Sequence, residues 1–198
     1  MDPNVILNRI MRLAKLDTTV FDEVRDDQRE LVPALVIAAI AAFLGGLGTF
    51  MWWKVVPPGT LDSAFLNTFI LGSIFLAVGY GIAVLVTYVV LAQMYKVQAD
   101  LQAMLRTCGY AAVPLALILL MFIPVVFPVF AVVPFAMLFV MMIYAVQSAT
   151  GAESNQVVMS CLIGFTVMIF VVGLVAGLTD ALKAPMGVGA FGILFYPH

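Results

Sequence analysis

The sequence predicts an all-α, polytopic membrane bundle of five transmembrane helices with an N-terminal amphipathic interfacial helix, and three observations predict it. Of 198 residues, 64% are hydrophobic and 10% are charged, whereas soluble domains are roughly 45–50% apolar and about 25% charged, so there is too little charge to coat a water-facing surface. Charge-free apolar runs longer than about 18 residues, enough helix to cross the hydrocarbon of a bilayer, recur along the chain. No dyad alternation of short segments accompanies them, so backbone amides in lipid are satisfied within helices and not in a barrel.

The chain divides into a cytoplasmic amphipathic and charged N-terminal segment (1–30), a five-helix transmembrane domain (31–178) and an extracytoplasmic C-terminal tail (179–198). From Asn4 to Leu16, a 100° period gathers Ile6, Leu7, Ile10, Met11, Leu13 and Ala14 on one arc. Ile6, Ile10 and Leu13 carry the apolar contact of this predicted interfacial helix, and Arg9, Arg12 and Lys15 its cationic one. Two settings fit that pattern equally: the headgroup plane, or the bundle's own cytoplasmic surface, which would supply the partner that isolated short helices need. The run from Phe21 to Glu30 mixes both charge signs at helical spacing. It reads first as a solvated, salt-bridged helix and second as a docking surface.

The first span is 31–53, with Trp52 and Trp53 at an interface, and the second is 65–95, long enough to tilt. Val97, Leu101, Met104, Leu105 and Cys108 share an arc, with Gln98, Gln102 and Arg106 turned away, which predicts a second interfacial helix. The charge-free stretch from Thr107 to Ala152 is too long for one crossing and must fold back. Pro124 and Pro128 supply the break, giving spans at 110–123 and 130–147. The polar turn at 150–155 leads into a fifth span at 156–178.

With the N-terminus inside, seven of the nine Lys and Arg residues fall in the cytoplasm and only Lys54 and Lys183 outside, which predicts N-in, C-out. The first thirty residues hold seven acids and no apolar core before Leu31, so the first span is expected to do the targeting.

Gly187-Val-Gly-Ala-Phe-Gly192 matches the GxGxxG spacing, but no strand precedes it and six residues follow, so a flexible loop or re-entrant tail carrying Phe191, Leu194, Phe195 and Tyr196 is the better reading. Gly173 and Gly177 form a GxxxG in the fifth span, a helix-packing device within the chain or in a dimer. No ionisable residue lies centrally in any span, which disfavours proton-coupled transport. No carboxylate pair, ligand cluster or nucleophile with a base stands out, and His198 is the only imidazole. No catalytic, cofactor-binding or metal site is therefore predicted, and the formal charge of −2 speaks against nucleic-acid binding. Cys108 and Cys161 give no particular support to a disulfide. The expected partners are membrane lipids and a protein partner or homo- or hetero-oligomer.

Arg106-Thr-Cys-Gly-Tyr-Ala-Ala-Val-Pro114, with Gly109, Tyr110 and Pro114 as its marks, resembles the signature stretch of the Yip1 domain family. The five-span plan with its tight third-to-fourth hairpin is similar to that family too. Val20-Phe-Asp-Glu-Val-Arg-Asp-Asp27 looks like the approach to the first span in prokaryotic members. The resemblance implies a prokaryotic inner or plasma membrane protein. In eukaryotic members it implies vesicle trafficking and Rab association, but the acidic aromatic motif of those relatives is absent here. On this reading Gly109 permits close approach, Tyr110 anchors at the interface and Pro114 kinks the span. The function expected is a non-enzymatic scaffold or membrane-organising, trafficking-type factor binding partners through its cytoplasmic surface. The alternatives are a passive channel or lipid or small-solute transporter using Tyr144 and Thr166, and an accessory subunit of a larger complex.

Overall fold

A computed structural model describes residues 3–55, 63–178 and 184–193. Lys183, Leu194, Phe195, Tyr196 and His198 lie outside them, as do other parts of the tail reading. Among the described residues there is no strand. Two short helices, α1 (Pro3–Ala14) and α2 (Val20–Asp26), precede the spans. A 3-10 turn at Gln28–Glu30 runs directly into α3 (Leu31–Val55), the first span.

The second span starts as a π-helix, Phe65–Leu71, and continues as α4 (Gly72–Gln93). The third is α5 (Leu101–Ala111) followed by a 3-10 segment, Val113–Phe122. A turn over 123–126 leads into α6 (Phe127–Thr150), and Gly151 at φ +61° lets the chain turn sharply into α7 (Ser154–Gly177). All five spans are long and apolar enough to cross a bilayer.

One boundary differs from the sequence reading. The stretch expected to be a second interfacial helix is the first half of the third span, and Met104, Arg106, Thr107, Cys108 and Tyr110 are all buried. The amphipathic pattern over 97–108 is the same whether the polar side meets water or the docked N-terminal segment. Pro114 sits where the α-helix gives way to the 3-10 helix, consistent with its missing amide hydrogen.

α3 packs along the 3-10 segment, α4 along α7, and α6 closes against the 3-10 segment from the far side. Small residues set these distances. A Cβ on Gly109 would fall 2.5 Å from the Ala34 carbonyl oxygen, so only glycine lets α5 cross α3 here. In the same way, a Cβ on Gly164 would meet the Ala83 carbonyl of α4 at 2.5 Å.

Residues 184–193 fold back into the bundle from the end opposite α1. The Asn67 amide donates to the Ala184 carbonyl (3.0 Å) and the Thr68 hydroxyl to the Pro185 carbonyl (3.0 Å). The Trp53 indole donates to the Gly192 carbonyl (3.1 Å), and the Gly189 amide donates to the Thr49 hydroxyl (2.8 Å). Irregular backbone at membrane depth is tolerated only where protein satisfies it, and these bonds do so. The wide π turn presents two consecutive polar side chains, Asn67 and Thr68, to two consecutive carbonyls.

Candidate functional site: a polar layer locked to the spans

The chemistry-bearing residues converge at the end of the bundle that carries the N-terminus. α2 buries Val20, Phe21 and Val24 on that end and packs against α5 and α6. Glu30, at the threshold of α3, is 8% exposed. Its Oε1 stands 2.6 Å from Arg9 Nη1 of α1, and its Oε2 accepts the Tyr110 hydroxyl at 2.7 Å. Burying a carboxylate is costly unless it is paired and hydrogen-bonded, and this one has both. Tyr110 is therefore not an anchor at the interface; it is fully buried and ties the third span to the first.

A second tie runs through Arg106, which is 5% exposed. Its Nη2 and Nε donate to the Arg25 carbonyl at 2.6 and 3.1 Å. Arg25 in turn donates to the Ser148 carbonyl at the end of α6 (2.9 Å), and the Ser148 hydroxyl donates to Asp22 (2.6 Å). The N-terminal segment is thus fastened to three spans.

α1 lies over this layer. Leu13 is buried and Ile6 and Ile10 pack on the core, whereas Leu7 and Met11 are half-exposed. Arg9 also approaches Glu23 (3.5 Å), and Arg12 reaches Glu23 (2.6 Å), Asp17 (2.8 Å) and the Thr19 hydroxyl (2.9 Å). Of the residues read as the interfacial helix, then, Ile6, Arg9, Ile10, Arg12 and Leu13 all engage the protein itself. Lys15 follows the helix and is exposed.

Burial alone would lower the Arg9 pKa, but the neighbouring Glu30 carboxylate and Tyr110 hydroxyl raise it above its ordinary value. Asp17 is pulled down to about 2, chiefly by the Thr19 hydroxyl and then by Arg12. Arg25 lowers Asp26. Raised arginines and lowered aspartates alike favour the ionic form of these contacts, which suits the layer to holding a shape.

Gly109 serves the α3–α5 crossing, as described. The Gly173–Gly177 pair lies elsewhere than the closest approach of the fifth span. Gly173 faces the Phe191 ring at ordinary contact distance, and Gly177 is exposed. Tyr144 and Thr166, candidates for an uncharged path, both lie on the outer surface, and the Thr166 hydroxyl donates to its own helix at Leu162. Cys108 and Cys161 are buried and unbridged. Among the described residues no cluster of three His, Cys, Asp or Glu could hold a metal ion.

Sequence reasoning missed the roles of Glu30 and Arg106. The available signal was position: each is the last charge before a long uncharged stretch, where a charge is drawn inward with its partners. Neither a curated protein nor a solved structure matches the chain. The family model for the Yip1 domain matches residues 17–195, nearly the whole chain, and the protein belongs to the Yip1 family.

Proposed function

We propose that the protein is a non-enzymatic membrane scaffold or membrane-organising factor of the trafficking type, which binds a protein partner through the face built by α1 and α2. That face is oriented to the cytoplasm, as the distribution of Lys and Arg favours, in a prokaryotic inner or plasma membrane. The observation that carries this reading is the fastening itself. A short charged segment is held on three spans by buried Glu30 and Arg106, while its outer side keeps Asp22, Glu23 and Asp26 exposed. A pre-organised surface lowers the ordering cost of docking a partner.

A photo-crosslinking side chain placed at Asp26, used in intact cells and read by mass spectrometry, tests it. A discrete adduct lost on reversing the charge of Asp22 supports the scaffold. Absence of any adduct at Asp26, together with turnover or solute flux by the purified protein, contradicts it.

A further inference from the structure

An apolar cavity of about 480 Å³ lies between α1, the first half of α3 and the 3-10 segment. Ile6 and Ile10 roof it. Val113 and Ala116, eclipsed at the three-residue spacing of a 3-10 helix, give it a narrow floor of small side chains. Its α3 wall runs from Val32 to Leu44, about 18 Å at a rise of about 1.5 Å per residue. One leaflet of a bilayer holds about 15 Å of hydrocarbon, so the groove has the depth of one leaflet. Val32, Val36 and Ile40 on its rim are 67%, 49% and 54% exposed, and the groove therefore opens sideways toward lipid. A second cavity of about 240 Å³ shares Val113 and Ala116 and continues under Leu13 toward α6.

The charge at the mouth identifies the occupant. Arg29 stands three residues before Val32, in the 3-10 turn that feeds α3, and so above the same helix face. It is exposed and forms no ion pair among the described residues. The surrounding acids are otherwise engaged: Glu30 with Arg9 and Tyr110, Glu23 with Arg9 and Arg12, Asp26 with Arg25. Asp27 accepts the Arg29 backbone amide, which leaves the guanidinium open to another anion.

We propose that this groove binds an anionic phospholipid from the leaflet on the N-terminal side, one acyl chain lying between α1 and α3 and the phosphate on Arg29. The lipid fills space that α1 roofs without closing, so it acts as part of the packing between the amphipathic helix and the first span. The assignment stands apart from the scaffold reading and requires no protein partner.

Native mass spectrometry of the full chain in mild detergent tests it, using palmitoyl-oleoyl phosphatidylglycerol and the phosphatidylcholine with identical chains as probes. The wild type is expected to retain phosphatidylglycerol the more tightly. Arg29→Gln is expected to weaken that retention about fivefold, the effect of one surface cation on an anionic lipid, and to leave phosphatidylcholine unchanged. Ile40→Trp, on the exposed rim, should lower retention of both lipids, while Phe170→Trp on the outer face of α7 should not. Equal retention of the two lipids by the wild type overturns the proposal, as does an Arg29→Gln protein indistinguishable from it. So does a dimer mass that Ile40→Trp abolishes, since a second copy would then be the occupant. Arg29→Gln lies outside the core, so its result decides even where the tryptophan variant is poorly folded.

Discussion

Glu30, Tyr110 and Arg9 join three separate segments through one carboxylate, which makes each removal a different experiment. Tyr110→Phe leaves the Glu30–Arg9 pair and deletes one hydrogen bond to a charged group, so it should cost about 1.5–3 kcal/mol of stability. Arg9→Ala strands the buried carboxylate and should cost more, about 3 kcal/mol or above. Thermal unfolding in mild detergent orders the two, and equal melting temperatures would show that Glu30 finds water once α1 lets go. Gly109→Ala acts differently, by forcing a methyl against the Ala34 carbonyl, and should cost about 1–3 kcal/mol through strain. Of these residues the sequence marked Gly109 for close approach, and marked Tyr110 and Arg9 without their partners. Pairing across 80 positions, as between Glu30 and Tyr110, leaves no local pattern.

At the scale of elements, the spans were legible because hydrocarbon imposes length and apolarity, and the α6 start near Pro128 followed from proline geometry. The π turn at Phe65–Leu71 and the 3-10 course of Val113–Phe122 were not legible. The π turn accompanies contacts made far along the chain, with Ala184 and Pro185 accepting from Asn67 and Thr68. The re-entrant segment was one of two readings of the GxGxxG stretch. Its small residues let it thread: Gly189 adopts φ +62°, and a Cβ there would lie 2.9 Å from the Phe135 ring. α1 is docked as well as amphipathic, and its far end has a pH-sensitive stay. Asp17 titrates at about 2 when folded against 3.8 ordinarily, so the stabilisation is present above about pH 4 and lost as pH falls toward 2. Cleavage by an acid-stable protease after Leu16 should accelerate across that window, and Asp17→Asn should cleave rapidly at every pH. A cleavage rate flat in pH would show that Arg12 and Thr19 do not hold the turn.

For the whole molecule, five crossings place the N-terminal layer, the α4–α5 connection and the α6–α7 turn on one side, with the hairpin turn at 123–126 on the other. Among the described residues the polar bonds separate accordingly. Ion pairs gather at the N-terminal end, and the far end is closed by neutral bonds to residues 184–193. Such a division suits a body that presents a fixed surface at one membrane face and seals itself at the other. Labelling of single cysteines with a membrane-impermeant maleimide tests this most directly, because the native Cys108 and Cys161 are buried and silent. Asn8→Cys, Gln98→Cys and Glu153→Cys, all at exposed positions, are predicted to react from the cytosol alone, and Val125→Cys, at an 89% exposed position, from the opposite side alone. Reaction of Val125→Cys and Gln98→Cys from the same side would contradict the five-span account.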